Sequence, residues 1–294
     1  MRWSARLRGL VYRKFVAGRP QLVSYVRARK EGTADRREFL REWLGQRNER
    51  ERLGQVRAGR DVCWVDGDEP EPLVTVVIPT YRRPETIERA VNSARAQTYD
   101  RLDILVVGDH TDEQTGKILA GIRDDRLRFV NLPHQGVYPT QGRQRWLVYG
   151  ATPMNVGIDL AAGAWITHCD DDDEMLPRHV ETLVADVKRR RLEMVYSRFE
   201  MIDHPPPDAA PGTPPTVTVV GSEPIRLGAV ARGTVLYSLG LRFMKYSTEC
   251  WRLGEPQDWN LWKRMQLAGV RMGFNEAVTY RYHRQPQPGT AAQA

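Results

Sequence analysis

The amino-acid sequence predicts an α/β protein with a mostly parallel, twisted sheet and helices on both faces. From residue 73 onward, short apolar runs rich in β-branched residues alternate with longer segments of helical periodicity. This alternation is typical of repeated βαβ units, which build parallel sheets. Acidic and polar residues directly follow several of these runs, and open α/β sheets bind ligands at the carboxyl ends of their strands. We therefore expect a ligand site along one edge of the sheet.

The first half of this region predicts four strands separated by helices. Pro79 ends the first apolar run, and Ile87, Ala90, Val91 and Ala94 then recur on one helical face. The predicted strands cover residues 73–78, 102–107, 127–132 and 165–169. The predicted helices cover residues 84–96, 115–122 and 151–162.

The second half is less regular. Residues 204–215 hold six prolines, which predicts a long irregular loop. Helices are expected at 177–191 and 259–268, and strands at 193–199, 216–220, 234–237 and 277–282. We expect the tail at 286–294 to be disordered.

The amino-terminal 60 residues differ in charge from the rest. They carry 17 Lys+Arg and 6 Asp+Glu, a balance of +11, whereas the whole chain has +7. We expect two or three basic helices here, one of them capped by Asp35 with Glu38 at capping-box spacing. Its predicted apolar face consists of Phe39, Leu40, Trp43 and Leu44. These helices either pack on the main domain or lie on an anionic membrane surface or an acidic partner. Residues 61–72 are predicted to form a linker.

The bulk properties exclude several classes of protein. A uniformly basic nucleic-acid binder is excluded because the residues after 60 carry 27 basic and 31 acidic side chains, the remainder of 44 and 37. No apolar stretch approaches the length of a membrane span, and arginines interrupt any signal-peptide core. Three scattered cysteines suit a reducing compartment. The expected location is the cytoplasm, with possible peripheral contact at the inner face of the membrane.

Four consecutive aspartates at 170–173 follow the apolar run at 164–169. Unpaired carboxylates this close repel each other, so a folded protein that gathers them usually supplies a cation. A hard divalent ion held by carboxylates and substrate phosphates is the ordinary use of such a cluster. The alternative is a solvated acidic turn that begins the next helix, where negative charge suits the helix dipole.

Other strand ends offer nucleotide-binding groups. The first strand is followed by Thr80, Tyr81 and Arg82, and the second by Asp109. A tyrosine face can stack on a nucleobase, and a carboxylate can accept a base N–H. Asn155 and the arginines Arg82, Arg143 and Arg145 could reach diphosphate or ribose oxygens.

The order of these motifs resembles the family-2 glycosyltransferases of the GT-A fold. The chain reads Val-Val-Ile-Pro-Thr-Tyr at 76–81, Ala-Gln-Thr-Tyr at 96–99, Val-Val-Gly-Asp at 106–109 and Asn-Val-Gly-Ile at 155–158, before the aspartates and Leu-Pro at 176–177. The resemblance covers residues 73–285 and implies a nucleotide-sugar half at 73–200 and an acceptor half at 216–285. It also implies Mn²⁺ or Mg²⁺ held by Asp170 and Asp172, with Asp172 the better ligand. Asp171 or Asp173 would contact the ribose or the metal.

The resemblance implies further residues in the second half. Gln257-Asp258-Trp259 stands where the family has Glu-Asp and an aromatic, so Asp258 is implied as the general base, with Glu255 as a nearby substitute. His283 matches a histidine near the metal or diphosphate. The segment 134–150 is expected to form a mobile flap, and Arg232 lies in a donor-side loop.

Three positions depart from the family pattern. Met154 replaces an arginine, Gln257 replaces the glutamate, and Gly108 replaces the first of two aspartates. A diphosphate or acceptor contact is therefore expected to come from elsewhere in the chain.

The leading hypothesis is a metal-dependent, inverting glycosyltransferase that uses a UDP-sugar and a carbohydrate or small-molecule hydroxyl acceptor. A nucleotidyltransferase that makes sugar nucleotides is the first alternative, although residues 80–84 lack the expected Gly-rich, lysine-bearing loop. A non-catalytic nucleotide- or polyanion-binding module is the second. The sequence leaves the oligomeric state open.

Overall fold

The computed structural model describes residues 35–59, 71–206, 209–210 and 212–284. The helices expected before residue 35, most of the 61–72 linker and the tail after 284 lie outside these residues. Within the described part, no helix is both long enough and apolar enough to cross a membrane.

The first four strands form the parallel part of a nine-stranded sheet, in the order β3-β2-β1-β4. They are β1 (Val74–Thr80), β2 (Leu102–Gly108), β3 (Leu127–Asn131) and β4 (Trp165–His168). The prediction that β1 stops before Pro79 is wrong, because Pro79 and Thr80 still pair with β2. Proline removes only its own N–H donor, so the strand can continue through it. The Thr80 carbonyl still accepts a hydrogen bond from the Asp109 N–H at 2.8 Å.

The remaining strands make the other half of the sheet mixed. β8 (Val235–Ser238) runs antiparallel to β4, and β6 (Met194–Asp203) lies antiparallel to β8 and parallel to β9 (Met272–Arg284). The short β5 (Glu174–Met175) pairs with β9, and β7 (Thr216–Val220) pairs with the end of β6. β9 extends well beyond the expected 277–282, because its whole length pairs with β6.

Helices cover both faces of the sheet. They are α1 (Arg36–Ala58), α2 (Ile87–Arg95), α3 (Glu113–Gly121), α4 (Gly142–Val148), α5 (Ala151–Leu160), α6 (His179–Arg190) and α7 (Gln257–Ala268). As expected, α2 buries Ile87, Ala90, Val91 and Ala94. α5 packs directly on β1, since a Cβ on Gly157 would lie 2.3 Å from a Val77 methyl.

α1 docks on α7 through polar contacts. Asp35 caps its first turn as predicted, accepting hydrogen bonds from the N–H groups of Arg37 and Glu38. Glu42 lies 2.6 Å from Lys263 of α7, and Glu49 lies 2.5 Å from Arg264. The apolar face predicted for α1 is not its docking face, because Leu40, Trp43 and Leu44 are exposed. The described part of the extension therefore packs on the main domain with its acidic side inward.

Candidate active site

A cavity of about 700 Å³ opens at the carboxyl edge of the parallel strands. Its walls come from the ends of β1, β2 and β4, the turn before β8, the start of α7 and the end of β9. The predicted site residues that line it are Thr80, Tyr81, Asp109, Asp170, Asp171, Asp172, Asp258 and His283. The structure thus brings residues far apart in the sequence to one edge of the sheet.

Asp170 and Asp172 each face a guanidinium group across the cavity. Asp170 Oδ1 lies 3.4 Å from Arg232 Nε, and Asp172 Oδ2 lies 3.7 Å from Arg83. Burial raises the pKa of Asp172, and the negative charge of Asp170 raises it further. The positive charges of Arg83 and Arg232 oppose this rise in the pKa of Asp172.

Asp171 and Asp173 make different contacts from those of Asp170 and Asp172. Asp171 accepts a hydrogen bond from the Tyr81 N–H at 3.3 Å, and burial with the Asp172 charge raises its pKa to about 7. Asp173 is only 1% exposed and accepts hydrogen bonds from the Tyr280 hydroxyl at 3.0 Å and the His283 N–H at 2.8 Å. Asp173 therefore ties the aspartate loop to β9 and does not reach the cavity.

The carboxylates at 170 and 172 suit a hard divalent ion. Among the described residues, no set of three His, Cys, Asp or Glu side chains is arranged to hold a metal. Two carboxylates completed by substrate phosphates are an ordinary way to hold Mg²⁺. The crowded negative charge of Asp172 beside Asp170 is what such a cation would relieve. Asp170 and Asp172 are thus the residues that would hold Mn²⁺ or Mg²⁺ against a diphosphate.

His283 is not placed as the third metal ligand that the resemblance implied. Its Nε2 lies 2.9 Å from Glu174 Oε1, and its Nδ1 lies 2.9 Å from His204 Nε2. Both ring nitrogens are engaged, while its backbone N–H holds Asp173. Its part in this arrangement is to fix the end of β9 at the rim of the cavity.

Asp258 lies in the first turn of α7, where its Oδ1 accepts the Trp259 N–H at 2.7 Å. Burial raises its pKa, and the positive charge of Arg232 partly offsets this rise. A carboxylate with a raised pKa inside a cavity is suited to accept a proton. Glu255 is unsuited to replace it, because Lys263 at 2.7 Å and Asn260 at 2.8 Å hold it in the core.

Arg232, which the resemblance placed in a donor-side loop, lines the cavity. Its side chain is 15% exposed beside Asp170, and its guanidinium stacks 5.8 Å from the Tyr246 ring centre. It acts electrostatically on both Asp170 and Asp258. The next residue, Gly233, has no room for a side chain, because a Cβ there would lie 2.0 Å from the Tyr280 ring. The resemblance named the loop that holds Arg232 but not the two carboxylates on which it acts.

Asp109 is held by the segment 134–150 instead of facing the cavity freely. Its oxygens accept hydrogen bonds from the Gly136 N–H at 2.8 Å and the Tyr138 hydroxyl at 2.7 Å. Tyr138 packs on Tyr149, whose ring lies 6.0 Å from that of Tyr81. The expected flap thus contains a helix, α4, and is anchored at its start through Asp109.

Arg82 and Asn155 do not line the cavity. Arg82 has a left-handed backbone with φ of 52°, and its guanidinium lies over the Tyr81 ring. The Asn155 amide bonds to both backbone groups of Tyr246, each at 2.9 Å. Arg83, one residue further along, supplies the cation that Arg82 was expected to supply.

Sequence comparison now assigns the family. The profile described as Glycosyl transferase family 2 matches residues 75–215, which contain β1 to β6 and the four aspartates. Residues 75–215 of this chain are therefore a glycosyl transferase family 2 segment.

Similar proteins support this assignment. The chain is 28% identical over 115 residues to a GalNAc(5)-diNAcBac-PP-undecaprenol beta-1,3-glucosyltransferase of Campylobacter jejuni, covering 38% of this chain and 34% of that protein. It is 32% identical over 131 residues to the succinoglycan biosynthesis protein ExoO of Rhizobium meliloti, covering 45% and 34%. The chain thus spans about a third of the length of these relatives.

A solved structure confirms the fold. Staphylococcus aureus TarS 1-349 in complex with UDP-GlcNAc superposes with a TM-score of 0.54 at 15% identity, covering 76% of this chain and 61% of that chain. The predicted GT-A-type α/β fold is therefore confirmed, with its sheet mixed beyond β4.

The departures from the family-2 pattern have local physical reasons. A Cβ at Gly108 would lie 2.6 Å from Asn131 Oδ1, so the first aspartate of the family motif has no room here. Met154 is fully buried on the core side of α5, where an arginine would leave a charge in the core. Gln257 donates its amide to the Tyr149 carbonyl and joins α7 to the segment 134–150. Arg232 and Arg83 are the residues whose guanidinium groups face the carboxylates of Asp170 and Asp172.

Proposed function

We propose that this protein is a metal-dependent, inverting glycosyltransferase that moves a sugar from a UDP-sugar to an acceptor hydroxyl. One observation carries the proposal: a single cavity joins the carboxylates of Asp170 and Asp172, on the parallel half of the sheet, to Asp258 on the other half. The first pair suits a diphosphate with its cation, and Asp258 suits proton removal.

The donor would lie across the ends of the parallel strands. Tyr81 offers an aromatic face for the base, and Arg83 and Arg232 offer positive charge to the diphosphate. The bound Mn²⁺ or Mg²⁺ would neutralise charge on the leaving diphosphate. UDP is favoured because TarS, which shares the fold, binds UDP-GlcNAc.

The acceptor would enter from the side of α7. Trp146, Leu227 and Trp259 form an apolar part of the cavity wall there, which suits the apolar face of a sugar ring. We assign residues 73–200 to the donor and 216–285 to the acceptor, within one domain that follows the amino-terminal extension.

Asp258 would remove the proton from the acceptor hydroxyl as its oxygen bonds to the anomeric carbon. The bond from that carbon to the diphosphate oxygen breaks in the same step, and the electron pair leaves with UDP. Because the hydroxyl attacks opposite the leaving group, the configuration inverts. A hydroxyl is a poor nucleophile unless its proton is accepted in the transition state. Burial raises the pKa of Asp258, and the positive charge of Arg232 opposes this rise and so favours the ionised form that accepts the proton.

The test is release of UDP from a panel of UDP-sugars with Mn²⁺, using simple sugars or water as acceptor. Wild type should release UDP from at least one donor. Asp258→Asn should lower the rate by about 10²-fold or more while still binding UDP. Asp159→Asn is the matched control, since Asp159 is 67% exposed on α5 and lies outside the cavity lining. Release by Asp258→Asn at the wild-type rate would refute the role of Asp258.

A further inference from the structure

α1 separates its charges between two faces. Three of its four acids, Glu38, Glu42 and Glu49, lie on the side that contacts the main domain, whereas Glu51 is exposed. Glu42 and Glu49 pair there with Lys263 and Arg264. Spacings of four and seven residues place these three acids on one stripe of the helix. The docking contacts therefore remove most of the negative charge of α1 from its outer surface.

The outer ridge of α1 is apolar and basic. It consists of Leu40, Trp43 and Leu44 with the exposed arginines Arg37, Arg41 and Arg47. Within the helix, Arg41 pairs with Glu38 at 2.7 Å and Arg47 pairs with the exposed Glu51 at 2.9 Å. The apolar members are 44%, 56% and 63% exposed. Helical geometry places Leu40, Trp43, Leu44 and Arg47 together, on the side opposite Glu42 and Glu49. A tryptophan and two leucines beside arginines are the composition of a helix that lies at a lipid interface.

The charge of the neighbouring sequence indicates what this ridge binds. Residues 1–34 carry nine Lys+Arg and one acid, and they lead directly into α1. An anionic surface attracts a sequence of this charge and the arginines of the ridge alike. We propose that the outer ridge of α1 binds the surface of an anionic membrane, with its apolar side chains at the acyl boundary and its arginines on the lipid phosphates.

This contact would be independent of the proposed catalysis. α1 is fixed to the domain by its ion pairs with α7 and by the Arg57–Glu193 pair at 2.7 Å, so the ridge does not need to leave the domain in order to bind lipid. The ridge also lies outside the cavity lining. Its variants are therefore expected to keep UDP binding.

Sedimentation with vesicles tests the proposal on the full chain. Vesicles of phosphatidylcholine alone are compared with vesicles that also contain roughly 30% phosphatidylglycerol, the charge content of an anionic leaflet. Wild type should bind the anionic vesicles at least tenfold more tightly. The variant Leu40→Ser/Trp43→Ser/Leu44→Ser should lose about tenfold or more of that binding. Val217→Ser/Val219→Ser on β7 is the matched control, since these two apolar residues are 52% and 55% exposed on another surface.

Thermal unfolding and UDP binding show whether the triple variant is folded, and Trp43→Ser alone replaces it if it is not. Undiminished vesicle binding by the folded ridge variant would overturn the proposal, because residues 1–34 would then carry the contact. Failure of wild type to bind either vesicle would also overturn it. A wild-type dimer that the ridge variant converts to monomer, without lipid binding, would assign the ridge to a second copy instead.

Discussion

Arg232 sets the charge balance of the cavity because it lies between Asp170 and Asp258. Its guanidinium favours the ionised form of Asp258, while burial opposes it. A general base works only when deprotonated, so activity falls as the pH drops below its pKa. The arginine should therefore extend activity toward lower pH.

The first prediction is that Arg232→Met shifts the acidic limb of the pH–rate profile upward by about one pH unit, since a nearby opposite charge typically lowers a carboxyl pKa by that amount or more. On that limb the rate falls about tenfold. The measurement is UDP release against pH at saturating donor. An unchanged limb would show that Arg232 does not act on the base.

The buried His179 makes the stability of the fold depend on pH. It is fully buried between Thr167 and Thr279, and burial lowers its pKa to about 3 from the ordinary 6.5. In the unfolded chain the imidazole takes up a proton below pH 6.5, but in the folded protein it does so only near pH 3. The stability it contributes is therefore complete above pH 6.5 and is lost as the pH falls from there toward 3.

The second prediction follows for His179→Gln, which keeps a polar side chain but cannot titrate. Between pH 6 and 4, roughly the window set by the two pKa values, the free energy of unfolding of the variant should fall less steeply than that of wild type. The two slopes should differ by up to about 1.4 kcal/mol per pH unit. Urea unfolding at several pH values measures the slope. Equal slopes in wild type and variant would contradict the buried, neutral histidine.

At the scale of elements, α1 and α7 share a buried ionic cluster. Lys263 is 1% exposed and contacts Glu42 of α1 at 2.6 Å and Glu255 at 2.7 Å, while Asn260 bonds to both acids. The cluster lies one turn from Asp258 along the chain. It couples the amino-terminal extension to the start of the helix that carries the proposed base.

The third prediction is that Lys263→Met lowers the free energy of unfolding by about 3–5 kcal/mol, because it leaves two buried carboxylates without a cation. Lys245→Met is the matched control. Lys245 pairs with Asp159, which is 67% exposed, so its loss should cost about 1 kcal/mol or less. Urea denaturation measures both. Similar losses for the two variants would show that the cluster contributes no more than a surface pair.

Elements defined by local pattern could be predicted from the sequence, whereas contacts between distant elements could not. The burial of α2, the strand before the aspartates and the Asp35 cap each follow from neighbouring residues. The capture of Asp109 by Tyr138 depends on a segment 27–29 residues away in sequence. Which side of α1 faces the domain depends on the basic residues of α7. The apolar residues of α1 therefore predicted the wrong docking face.

At the scale of the whole molecule, the two halves of the sheet supply different chemistry to one cavity. The parallel half presents strand ends with Tyr81, Asp170 and Asp172, and the mixed half presents Arg232 and Asp258. The motif order identified the family and the acids on both sides. The separate tasks of Asp170–Asp173 required the structure, because four identical neighbours differ only in what each side chain contacts.

The most direct test of the proposed site is calorimetric titration of UDP with and without Mn²⁺. For wild type and for the control Asp159→Asn, the metal should strengthen UDP binding at least tenfold. For Asp172→Asn this gain should disappear, because one of the two carboxylates that would hold the ion is lost. Equal UDP affinity with and without metal in wild type, or a full metal effect in Asp172→Asn, would contradict the assignment of Asp170 and Asp172 to the metal and diphosphate.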